Sequence, residues 1–149
     1  MLLWNGACMV HEIFSLEKIT GLKQRHPDAK IIAHPECEEP ILRIADFIGS
    51  TTGLLKFSKE DSANKFIVAT ETGILHQMEK ESPGKTFIPA PPNNSCACND
   101  CPHMKLNTLE KLYLCMEYET PELLMDENLR QAALKPIQRM LEISAKYGL

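Results

Sequence analysis

Long apolar runs are missing: no stretch approaches the roughly 20 apolar residues that a membrane span requires, so no membrane partner is expected. A basic excess is missing too. The formal charge of −4 at pH 7 offers no broad surface for a phosphate backbone. Nucleic acid is therefore set aside as a partner, while a local anion pocket stays open. A leader is not expected either: "MLLWNGACMV" is apolar, but it carries no basic n-region and is broken by Asn5 and Gly6. A cytoplasmic protein is expected. In that reducing compartment the six cysteines are better read as metal ligands, catalytic groups or buried thiols than as a disulfide framework.

What is present suits one ordinary core, since 149 residues with 44% hydrophobic and 24% charged side chains make a globular mixture. Short apolar or β-branched runs alternate with segments of helical period, the rhythm of βα units around a parallel sheet. Strands are expected at Leu2–Trp4, Lys30–Ala33, Lys65–Ala69 and Thr86–Ile88, with "ADFI" as a weaker run. Phe14, Leu16, Ile19 and Leu22 fit one helical face, and so do Ile41, Ile44 and Ala45. A third helix is expected over Glu71 to Glu81, ended by "SPG".

Open parallel sheets collect ligands at the carboxyl ends of their strands. Those ends read "NGACMVH", "HPEC", "GSTTG" and "ATETG", which present Cys8 and His11, then His34 and Glu36, then Ser50, Thr51 and Thr52, then Thr70 and Glu71. Serines and threonines at such turns are commonly helix N-caps, and a single histidine is commonly structural. Recurrence at one topological position is what argues for a shared pocket. "GSTTG" offers hydroxyls and backbone N–H groups at a helix start, a cradle for phosphate or carboxylate. Pro35 biases His34 to extended backbone, and Glu36 lies two residues on, so both side chains leave the segment on the same side. An imidazole and a carboxylate so placed can exchange protons with a substrate. The plainer reading is a surface histidine and a capping glutamate.

"SCACNDCPHMK" sets Cys96, Cys98 and Cys101 within six positions of one another. They can be a disulfide and a spare thiol, three corners of a zinc site, or a loop giving one thiolate to an iron–sulfur cluster. With Cys8 they make four thiols, enough for a zinc-stabilised binding module without catalysis, although Cys-x-Cys-x₂-Cys is not a usual zinc-knuckle spacing. Cys37 and Cys115 read as buried free thiols.

Taken in order, "LLWNGACMVH", "HPECEEPILRIADFIGSTTGLL", "FIVATETGILHQM", "CNDCPHMKLNTLEKL" and the closing "DENLRQAALKPIQRML" resemble successive motifs of the quinolinate synthases. The resemblance implies an α/β fold of three αβα parallel-sheet domains about a pseudo-threefold axis, with a [4Fe–4S] cluster held by one cysteine from each. Only the back half of such a chain is matched. Residues 1–10 would end one αβα domain and 11–90 would form the next; 91–149 would be a cluster-ligand loop and a helical C-terminal segment that packs on the first domain. Met1, at a strand start, reads as a cut near a domain boundary.

By matching position, Cys8 and Cys101 are implied as cluster ligands, the latter because it precedes Pro-x-Met. The third cysteine and the missing N-terminal half would come from elsewhere. A Cys96–Cys98 or Cys98–Cys101 disulfide would compete with the cluster. The implied reaction condenses iminoaspartate with dihydroxyacetone phosphate, losing phosphate and water, to give quinolinate for NAD biosynthesis. In it His11, His34 and Glu36 orient substrate and move protons, Ser50 and Thr51 hold a carboxylate or phosphate, and Thr70 and Met104 line the pocket. Association with L-aspartate oxidase is a further implied partnership.

Overall fold

A computed structural model describes residues 6–93 and 99–148, so the expected strand Leu2–Trp4 and the thiols Cys96 and Cys98 lie outside the described residues. The chain divides into two compact units, Met1–Leu106 and Asn107–Leu149.

The first unit is built on four strands, β1 (Lys30–Ala33), β2 (Phe47–Ile48), β3 (Lys65–Ala69) and β4 (Thr86–Pro89). All pair in parallel in the order β2-β1-β3-β4, with Ile31 opposite Ile67, Ala33 opposite Ala69, and Phe66 opposite Phe87. β1 and β3 are near-continuous apolar runs because both faces of a parallel sheet are covered. Successive side chains face opposite ways. Ile31, Ala33, Ile67 and Ala69 pack with Ile19 of α2 (Leu16–Arg25) and Ile41 of α3 (Glu39–Ile44). Ile32, Phe66 and Val68 pack with Leu54 of α4 (Thr51–Glu60) and Met78 of α5 (Gly73–Glu81). The result is an α/β sandwich of three layers. Each fully buried Ile or Phe contributes about 1.5–3 kcal/mol of transfer free energy.

The connections explain which helix lies where. From β1 the chain moves outward to β2 through α3, then back across to β3 through α4, and on to β4 through α5. Right-handed crossovers travelling in opposite directions put their helices on opposite faces, and α3 is indeed packed apart from α4 and α5. The direction reverses between β1 and β3, so their carboxyl ends border the switch point where doubly wound sheets leave a crevice.

Two expectations about this unit need correction in detail. Phe14 is not in the helix; it sits before α2 and forms an isolated antiparallel bridge with Pro92, while Ser15 caps α2 by accepting from Lys18 N at 3.2 Å. The third helix begins at Gly73, not Glu71, because the Glu71 carboxylate accepts from Gly73 N at 2.7 Å in place of an intrahelical partner. A β-carbon on Gly73 would meet that carboxylate oxygen at 2.7 Å, so a larger residue there would displace the Glu71 side chain from this turn.

The second unit holds α6 (Leu109–Tyr118) and α7 (Glu127–Tyr147), capped by Thr108 and Asp126 respectively. Neither helix has a buried residue. Cys115, expected as a buried thiol, is exposed on α6, because this helix has no core of its own to enter.

Candidate functional site

Each strand of the sheet hands its last residues to the same edge. After β1, His34 N donates to Ala69 O at 3.1 Å; after β2, Gly49 N donates to Ala33 O at 3.1 Å; after β3 comes Thr70. Because the strands are parallel, His34, Ser50 and Thr70 share one edge of the sheet. The short helix α1 (Met9–Glu12), with Cys8 at its N-cap, brings His11 to the switch point.

His11 is the hub. It is buried, with Nδ1 3.0 Å from Glu36 Oε2 and Nε2 3.0 Å from Thr70 Oγ1, and its ring stacks on that of His34 at 4.4 Å between centroids and 9° between planes. Thr70 is buried as well. A carboxylate only accepts, so His11 Nδ1 carries the proton, and Nε2 of the neutral ring accepts from the Thr70 hydroxyl. Burial first, and then the neighbouring His34, hold the His11 imidazole below its ordinary pKa of 6.5, with Glu36 pulling the other way. The neutral form therefore dominates near pH 7.

His34 is held through its Nδ1. Its Nδ1 accepts from Glu36 N at 3.3 Å, which leaves the proton on Nε2, and no partner of that atom occurs among the described residues. Glu36 Oε2 lies 3.7 Å from the same Nδ1. The Glu36 side chain is 57% exposed, so a carboxylate meets solvent in front of two imidazoles, one of them buried. The plainer reading of Glu36 as a helix cap does not hold, because α3 starts after Glu38 without a side-chain cap.

The thiols divide into two kinds. Cys8 and Cys101 are free and half-buried. Cys37 is buried, its Sγ–H donates to Ala69 O at 3.3 Å, and burial pushes its pKa up to about 11, so it stays a protonated thiol. Cys8 Sγ, His11 and Glu36 offer ligand atoms all within 4.8 Å of one another.

The segment bearing Cys101 is pinned to both neighbours of the site. Cys101 N donates to Glu71 Oε1 at 3.3 Å, and Thr72 pairs with Asp100 through its hydroxyl and donates its backbone N–H to Asn99 O at 3.4 Å. Buried Asn99 donates from Nδ2 to Val10 O at 3.2 Å, two residues after Cys8, while its Oδ1 has no partner among the described residues. Cys8 and Cys101 are thus half-buried thiols on two segments joined through Asn99.

Other expected residues stand nearer the rim. Ser50 is the N-cap of α4 and accepts from Gly53 N at 3.2 Å; Thr51 beside it is exposed. Met104 is exposed in a 3₁₀ turn, Met104–Leu106, after Cys101. Asn99 was invisible from sequence, because a single asparagine among cysteines carries no periodicity or motif. A separate groove of about 480 Å³, lined by Glu17, Leu22, Arg25 and Ile88 among others, contains no thiol or imidazole. No helix among the described residues is long and apolar enough to cross a membrane.

A doubly wound sheet with two imidazoles, a carboxylate and the Cys8 thiol gathered at its switch point defines an α/β protein whose site carries groups of the kinds that move protons or hold metals. The comparisons with known proteins agree with that class and narrow it. The family model described as quinolinate synthetase A protein matches residues 1–142, and the chain belongs to the quinolinate synthase family. The quinolinate synthase of Rippkaea orientalis is 64% identical over 144 residues, 97% of this chain and 44% of that protein. Those of Microcystis aeruginosa and Chloroherpeton thalassium are 64% and 61% identical over 97% of this chain and 45% of theirs. The chain thus spans less than half the length of these relatives.

Proposed function

We propose that the chain supplies the carboxyl-side half of a quinolinate synthase, which condenses iminoaspartate with dihydroxyacetone phosphate in NAD biosynthesis. The observation that carries this is the convergence of His11, His34, Glu36 and Thr70 at the switch point. His34 donates its Nε2–H to a substrate oxygen. Glu36 takes a proton from carbon or nitrogen of the bound substrate and returns it to a leaving oxygen. Thr70 and Glu36 fix the tautomer of His11, whose ring backs His34. Ser50, Thr51 and the first N–H groups of α4 hold a carboxylate or phosphate, as a helix start does for any anion.

Cys8 and Cys101 would hold two irons of a [4Fe–4S] cluster, and the third thiolate comes with the missing front half. When bound, the cluster offers an iron without a protein ligand, a Lewis acid for a substrate oxygen. Residues 1–10, 11–90 and 91–149 are then the end of one αβα domain, the next αβα domain, and a ligand loop with helices that cover the first domain. The exposed apolar side chains of α6 and α7 support that last assignment.

The test combines the chain with the front half of the Rippkaea orientalis enzyme, with iron and sulfide added anaerobically, and measures quinolinate by chromatography. Product is expected only from the pair, and Glu36→Gln should lower its rate by about 10²–10⁴. No product from the pair, or turnover by the chain alone, would overturn the reading.

A further inference from the structure

We propose that Cys8, His11 and Glu36 form a site for a single borderline divalent cation, zinc or its analogue cobalt, whenever no cluster is bound. The three side chains come from two separate parts of the unit, the α1 turn and the β1 exit, yet their ligand atoms lie within 4.8 Å of one another. A tetrahedral ion with bonds of about 2.0–2.3 Å holds its donors roughly 3.3–3.7 Å apart. His11 Nδ1 and Glu36 Oε2, at 3.0 Å, are nearly at that spacing already, and their shared proton is what the ion replaces.

The surroundings are built to support an ion on Nδ1. On binding, the Cys8 thiol releases its proton to solvent, and the His11 proton moves from Nδ1 to Nε2. There it donates to Thr70 Oγ1 at 3.0 Å, the outer-sphere hydrogen bond that fixes the ring of a metal-bound histidine. The stacked His34 ring holds the imidazole plane at 4.4 Å. Glu36 is exposed enough to close the remaining gap and to leave the fourth position to water. Sulfur, nitrogen and oxygen donors together select zinc or cobalt over magnesium or calcium.

This site needs neither Cys101 nor any other thiol, and so differs from both the cluster and a four-cysteine zinc knot. Cys8 has one thiolate to give, so ion and cluster exclude each other; that consequence rests on the proposed function, whereas the ion site does not.

Chelator-stripped, reduced chain titrated anaerobically with Co²⁺ alone should bind one ion, with a near-ultraviolet sulfur-to-cobalt band and visible bands of a tetrahedral set. Cys8→Ser should remove the sulfur band, and Cys101→Ser should leave it. Thr70→Val should weaken binding about 10–100-fold with the band retained. Glu36→Gln, at an exposed position that leaves the core untouched, should weaken it at least tenfold. Circular dichroism reports whether each variant is folded. Absence of the band in folded chain, its survival in Cys8→Ser, or its loss in Cys101→Ser would overturn the proposal. The quinolinate assay does not depend on any of these outcomes.

Discussion

The α/β unit and the helical unit treat the same kind of residue in opposite ways. Phe66, Ile32 and Ile67 are fully buried between two helical layers, whereas Leu109 and Leu123 of the helical unit are 84% and 95% exposed. Both sequences are apolar and both helices of the second unit are well capped. The difference is that the sheet's two faces are covered by helices, while neither α6 nor α7 has a buried residue, however good its caps. Chemistry follows the same division. Every histidine of the chain precedes residue 107, and the paired carboxylate and buried thiol sit with them.

The largest test of this contrast concerns the thiols. In the complete, cluster-loaded protein, Cys8→Ala or Cys101→Ala should abolish the visible iron–sulfur absorption, while Cys37→Ala and Cys115→Ala should leave it. Equal loss from all four would mean that Cys8 and Cys101 are not set apart as the ligands. Next comes stability of the chain alone, followed by circular dichroism in urea. Phe66→Ala should cost about 3–5 kcal/mol. Leu123→Ala should change stability by no more than about 0.5 kcal/mol, as surface positions do. A large effect at Leu123 would mean that the helical unit has cover within this chain.

Thiol labelling sharpens the comparison further. With a pKa of about 11, Cys37 is about one part in 10³ thiolate at pH 8, so in folded protein it should react roughly 100-fold more slowly than exposed Cys115. Mass spectrometry of the alkylated peptides reads this directly. The smallest expected effect is on pH dependence. His11 has a folded pKa below 6.5, so the unfolded chain takes up its proton first as pH falls. The stability that neutral His11 contributes is therefore complete above pH 6.5 and is lost as pH drops through that value towards the folded pKa. His11→Gln should flatten that fall in urea midpoints between pH 7 and 5; an unchanged slope would refute it.

The sheet was largely legible before the structure. "KIIA" and "KFIVA" are strands to the residue, because β-branched runs between polar turns have few other uses. "ADFI" shortened to Phe47–Ile48, and the last strand extended to Pro89, since edge pairing depends on neighbours that sequence does not reveal. The body of α4 was seen only at its capped start. Strand-end recurrence did point to the edge where His34, Ser50 and Thr70 lie. What it could not provide was the contact itself: His11 meets Thr70 across 59 positions and Asn99 meets Val10 across 89, and such distances are set by the crossovers alone.

The two borders of the sheet have a consequence for how the chain sticks to itself. β2 is two residues long, and β4 runs into Pro89, Pro91 and Pro92, which lack the N–H that a newly added strand would need. Neither border is a template for β-extension. Self-association of the chain alone should therefore proceed through the uncovered leucines and methionines of α6 and α7, giving aggregates that keep their helical circular dichroism, dissolve in mild detergent and bind no amyloid dye.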